Sequence, residues 1–240
     1  MRRKRTLTWM VEISILSALS VLLYNFPKFQ LPFFPSFLSV QFSMLPALIG
    51  TFSLGPVGGA LIVIIKFCFK LLTTRSAGVG EIADLIIGLV VVIVVGVIYL
   101  FKKNKKTAFI SLIFGICIWT LTALLTNYFV LIPAYAKLYG IKAVLGLLKI
   151  IPGVNESNYM SKYLLYACLP FNLMLSTIVS LVTLLVYKRV SFLFNKIGNE
   201  DTKATKENKK VTRPSRKKKE IKIKLTRDNR IIKLKDSRFK

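Results

Sequence analysis

The sequence predicts an all-α integral membrane protein of six transmembrane helices with both termini in the cytoplasm. Three observations carry that prediction. Of the 240 residues, 54% are hydrophobic while the formal net charge is +26, a pairing rare in soluble domains. Several apolar runs approach or exceed the ~18–20 residues that a helix rising ~1.5 Å per residue needs to cross ~30 Å of hydrocarbon. The dense basic clusters, "RRKR" at 2–5, "KKNKK" at 102–106 and "YKRVSF" at 187–192, all fall on one side if the chain crosses six times.

The spans are expected at roughly 7–25, 41–55, 57–73, 80–101, 108–132 and 163–189. The first follows a basic start and superficially matches a signal peptide. Its run is long, contains Glu12 and leads into "NFPKFQLPFF" rather than a small-residue cleavage site, so it reads as a retained span. Ser14 and Ala18, four apart with Ser17 beside them, form a small-residue strip that admits another membrane helix, from this chain or from a partner. The second span is short and broken by Pro46 and Gly50, and "GPVGG" at 55–59 marks a tight turn into the third. The fourth opens with Glu81 and Asp84 on one face. They are either a proton or cation site in the bundle or carboxylates complementing a helix N-terminus. Segment 133–162 is expected outside, with an amphipathic helix "AKLYGIKAVLGLLKII" whose Lys137, Lys142 and Lys149 snorkel from the interface.

From residue 196 the composition flips: 18 of the chain's 36 Lys/Arg lie there against six of its 10 acids, too much charge for a core. The organisation is therefore a membrane domain over 1–195 and a cytoplasmic tail over 196–240. That tail is read as disordered or as a small hairpin around "TRDNR", drawn to anionic lipid. A membrane anchor whose tail recruits anionic lipid or RNA is the competing reading of the whole chain.

Catalysis is not expected and no catalytic residue is assigned. There is no histidine, phosphate-binding GxxxxGK[ST] loop, HExxH or GxSxG motif. Cys68, Cys117 and Cys168 sit in apolar runs without CxxC spacing, which offers neither a metal centre nor a disulfide framework. The polar residues in or beside the spans that could line a pocket are few: Gln41, Ser43, Thr126, Asn127 and Asn172. A side-chain amide both donates and accepts, the repertoire that reads a planar heterocycle or vitamin head group. Asn172 follows Pro170, so its amide either reads a ligand or repairs backbone bonding that the proline disturbs. Phe29, Phe33, Phe34, Phe37, Tyr128, Phe129, Tyr135 and Tyr139 gather around the expected outer loops, as an interfacial belt or a stacking wall.

Four segments in order, "FPKFQLPFFPSFLSVQFSMLPALIGTFSLGPVGGALIVIIK", "AGVGEIADLIIGL", "TNYFVLIPAYAKLYG" and "LPFNLMLSTIVSLVTLLVYKRVS", cover most of residues 8–192. Together they resemble the substrate-binding S component of energy-coupling-factor vitamin transporters, particularly the riboflavin branch. The resemblance implies a six-helix component of the cell membrane that binds a vitamin near the outer face and has no cofactor of its own. It also implies association with a transmembrane coupling protein, EcfT, and two cytoplasmic ATPases, with Ser14 and Ala18 as docking surface. Asn127 and Asn172 match positions that resemble isoalloxazine-reading amides, with Met44 and Leu45 flanking the ring and Gln41 and Tyr128 nearby. The branch commonly reads like "DFSDIPALIG" and "PFNLLKG". Gln41 and Met44 therefore stand where carboxylates would, and Leu175 where a lysine would. These departures allow a weaker hold on riboflavin, another flavin form or another vitamin, but the matching motifs outnumber them and the resemblance implies riboflavin uptake.

Overall fold

The computed structural model describes residues 2–26, 28–74 and 77–186. The basic tail and the end of the sixth expected span lie outside the described residues. Helix α1 runs Arg2–Asn25, followed by strands β1, Lys28–Gln30, and β2, Ser39–Gln41. Then come α2, Met44–Leu54; α3, Pro56–Leu72; α4, Val79–Phe101; and α5, Lys105–Tyr139. A short α6, Ile141–Leu147, precedes α7, Tyr159–Val186. Among the described residues, four helices are long and apolar enough to cross a membrane: α1 from Thr6, α4, α5 and α7. At 11 and 17 residues, α2 and α3 are shorter.

Three features depart from the sequence reading. The expected outer loop after α1 holds a small antiparallel hairpin, pairing Lys28 with Gln41, Phe29 with Val40 and Gln30 with Ser39, so the fold is not purely α. The expected amphipathic helix over 136–151 is interrupted at Gly140, whose φ of +84° is a conformation glycine adopts without steric penalty. Finally, α5 continues past its expected end at 132 to Tyr139, and α7 begins at Tyr159 rather than 163.

The length of α5 has a local cause that recurs in α7. Each contains one π-helical turn, Asn127–Leu131 and Leu164–Cys168, and each turn is followed after one residue by a proline, Pro133 and Pro170. A proline inside a regular helix removes a donor and clashes with the carbonyl four residues back. Widening the preceding turn shifts the bonding by one residue: the Ile132 N–H donates to the Asn127 carbonyl and the Leu169 N–H to that of Leu164. The helix thus passes its proline without ending.

Small residues bring α2, α3 and α4 together. Gly55, with φ +88°, turns the chain, its N–H donating to the Thr51 carbonyl, and Pro56 opens α3 where a missing donor is harmless. Gly59 packs against the Thr51 side chain and the Ala47 carbonyl. A Cβ on Gly88 would stand 2.8 Å from Val63 Cγ1, and one on Gly96 would stand 2.7 Å from Pro56 Cβ. Val63, Val92, Val95 and Ile62 are fully buried at this seam.

Candidate ligand-binding site

The π turns of α5 and α7 face each other; Asn127 opens the first, and Asn172 lies one helical turn beyond the second. Asn127 Nδ2 donates to the Ala123 carbonyl at 2.8 Å and Asn172 Nδ2 to the Cys168 carbonyl at 2.9 Å, each bonding back one helical turn. Their oxygens are held from the opposite helix. Tyr163 Oη donates to Asn127 Oδ1 at 2.6 Å, and Trp119 Nε1 donates to Asn172 Oδ1 at 3.3 Å. Because an indole N–H only donates, the orientation of Asn172 is fixed by chemistry. Cys168 joins the group, its Sγ 4.0 Å from the Ala123 carbonyl and 3.5 Å from Asn172 Nδ2. Asn127, Asn172, Tyr163, Cys168 and Trp119 are all buried.

The backbone-repair role and a reading role are therefore compatible. Asn127 spends one N–H on the Ala123 carbonyl and one lone pair on Tyr163, which leaves one donor and one acceptor for a ligand edge. Asn172 keeps one lone pair. The loop between the β-strands supplies an aromatic cover. Phe37 packs at 5.6 Å from the Tyr163 ring and edge-on to Tyr135 at 5.8 Å, and Phe34 packs edge-on to Phe171 at 5.3 Å. Phe34 also lines a groove of 440 Å³ between this loop and Gly146, Leu147 and Ile150.

The other sequence candidates distribute unevenly. Met44 and Leu45 are buried in the first turn of α2, and Leu175 is buried one turn beyond Asn172. Gln41, at the end of β2, has a buried Oε1 with no hydrogen-bond partner. Tyr128 is 47% exposed, edge-on to Phe129, and stands outside the amide cluster. Ser14 and Ala18 are exposed on α1 among Met10, Val11, Ile15 and Leu22, whereas Ser17 and Ser20 turn inward.

A second polar group escaped the sequence reading. Lys66 and Lys70, one turn apart on α3, are buried and both reach Asp84 Oδ2 on α4, at 2.8 and 2.9 Å. Lys66 Nζ also donates to Ser43 Oγ at 3.4 Å, the Ser43 carbonyl accepts from Ser20 Oγ, and Lys70 Nζ lies 4.0 Å from the centre of the Tyr24 ring. Asp84 is thus a counter-ion to two lysines rather than a helix-end carboxylate. The sequence signal was available: two lysines four apart inside an apolar run, with an acid in the next span.

A sequence profile of the ECF transporter, substrate-specific component family matches residues 9–187. The chain belongs to that family. As an S component it is similar to the riboflavin transporter RibU of Staphylococcus aureus, 29% identical over 188 residues that cover 78% of this chain and 93% of that protein. It is also similar to the riboflavin transporter FmnP of Bacillus subtilis, 28% identical over 185 residues that cover 74% and 89%. A solved S component of a bacterial ECF transporter superposes with a TM-score of 0.62 at 28% identity, covering 78% of this chain and 98% of that one. The S component described here is a multi-pass protein of the cell membrane, and its family is a transporter component rather than an enzyme. Among the described residues no group of three His, Cys, Asp or Glu side chains gathers to hold a metal.

Proposed function

We propose that this S component captures riboflavin at the outer face of the membrane and delivers it inward by reorienting with a coupling protein and two ATPases. The observation that carries the reading is the buried Asn127–Asn172 pair. It retains hydrogen-bonding capacity beneath an aromatic cover, in a chain whose relatives are riboflavin transporters. Under this reading α2 and α3 complete a set of six crossings with both termini in the cytoplasm. Riboflavin is cargo, not a cofactor. Met44, Leu45, Gln41 and Leu175 line or flank its site. Titrating riboflavin into folded, purified protein should quench flavin fluorescence saturably at sub-micromolar concentration. A flat titration overturns the proposal.

The exposed Ser14–Ala18 strip is the surface offered to the coupling protein, since small residues let helices approach closely. Ala18→Leu should reduce copurification of the partner proteins while leaving riboflavin binding intact. Loss of riboflavin binding instead would make the strip part of the internal packing. An anionic-lipid role for residues 196–240 rests on their charge alone.

A further inference from the structure

The Lys66–Lys70–Asp84 cluster is the largest concentration of buried charge among the described residues, and the amide site does not use it. Two ammonium groups share one carboxylate oxygen, so two buried cations converge on the single carboxylate of Asp84. The cluster also keeps unspent bonding capacity of both kinds. Lys66 has used two of its three N–H groups and Lys70 one, with the Tyr24 ring beside it. Both lysines bond the same Asp84 oxygen, which leaves the second, on a side chain 24% exposed, as an acceptor. Gln41 Oε1 is a further buried acceptor without a partner.

Two observations place this cluster at the depth of the amides. Gly115 of α5 faces Val95 of α4, where an added Cβ would lie 2.7 Å from Val95 Cγ2. The two helices run antiparallel with the same ~1.5 Å rise, so Asp84 and Thr126, equally far from that contact, are level, and Asn127 follows Thr126. One short segment also joins the two groups. Phe37 packs on Tyr163, which holds Asn127, and Ser43 touches Lys66, so the intervening chain spans at most about 20 Å. Gln41 lies on that segment.

The mixture of donors and acceptors selects the chemistry. A phosphate or carboxylate brings acceptors only, and would leave Gln41 Oε1 and the free Asp84 oxygen facing like partners. A hydroxyl both donates and accepts, and a run of hydroxyls satisfies lysines, carboxylate and amide together. We infer that Lys66, Lys70, Asp84 and Gln41 form a polyol subsite that takes the hydroxylated chain of the ligand whose planar part lies against Asn127 and Asn172. The inference rests on the riboflavin reading and adds which residues recognise the chain rather than the ring.

Riboflavin and lumiflavin, which has the same ring system with a methyl group in place of the polyol, separate the two statements. The wild-type chain should bind riboflavin more tightly than lumiflavin. Lys70→Met should weaken riboflavin by roughly 10-fold or more while changing lumiflavin by less than about twofold, the scale of one lost hydrogen bond to a charged group. Gln41→Leu should act in the same direction with smaller effect, and it carries the test if Lys70→Met fails to fold. Equal losses on both flavins, an unchanged riboflavin-to-lumiflavin ratio, or a wild type without preference overturns the polyol subsite while leaving flavin capture standing. A wild type that binds neither flavin overturns the riboflavin reading and the subsite with it.

Discussion

The two polar groups buried in this bundle solve the same problem in opposite ways. Between α3 and α4 the groups are ions: two lysines converge on Asp84, and Ser43 and Tyr24 supply the remaining contacts. Between α5 and α7 the groups are neutral: two asparagines bond to carbonyls beside the π turns, and a tyrosine and a tryptophan hold their oxygens. Ions removed from water depend heavily on their partner. An amide tied to its own helix keeps most of its bonding when one neighbour is lost. The first arrangement should therefore be brittle and the second adjustable, which suits a site that must admit and release a ligand.

The largest effect is expected where an ion loses its counter-ion. Asp84→Ala strands two buried ammonium groups and should cost roughly 3–5 kcal/mol of stability, read as a collapse of the thermal transition or of folded yield. Replacing all three residues together, Lys66→Met, Lys70→Met and Asp84→Leu, should restore most of that stability, because an apolar trio of similar volume needs no pairing. If Asp84→Ala melts like the wild type, the ions are not coupled and the contrast between the two regions fails.

Next in size is the amide side. Asn127→Leu removes the donor and acceptor proposed for the ligand and leaves the Tyr163 hydroxyl without its acceptor, a buried loss of about 1–3 kcal/mol. Adding Tyr163→Phe should recover the stability, since both partners are then apolar, but not riboflavin binding. Stability and binding both recovered in the double variant would show that Asn127 serves the fold alone.

How much of this was legible beforehand depends on the length of the signal. α1, α4, α5 and α7 announce themselves because each exposes an apolar run of membrane-spanning length. The β-hairpin does not, because strands of three residues give alternation no room to register. Pro133 and Pro170 read as breaks, and only tertiary structure shows the π turns that let the helices pass them. Asn127 and Asn172 were findable as rare amides in apolar runs. Their partners Trp119 and Tyr163 were not, since 53 and 36 residues of sequence separate the bonded pairs. Lys66 and Lys70 are legible only when lysines are weighed by position in a span as well as by loop topology, since a lysine in mid-span is expensive enough to demand a partner.

The smallest effects should come from separating two tyrosines that composition treats alike. Tyr128 is 47% exposed and packs only edge-on to Phe129 among its described ring contacts, so Tyr128→Leu should change stability by no more than about 0.5 kcal/mol and leave riboflavin affinity unaltered. Tyr163 is fully buried, bonds Asn127 at 2.6 Å and carries the Phe37 ring, so Tyr163→Phe should cost about 0.5–1.5 kcal/mol through that one hydrogen bond. It should also loosen riboflavin by a few-fold, because Asn127 then lacks the donor that fixes its amide. Thermal shift with and without riboflavin reads both variants at once. A larger penalty from Tyr128→Leu than from Tyr163→Phe would mean that the outward face of the π turn, not the inward one, meets the ligand.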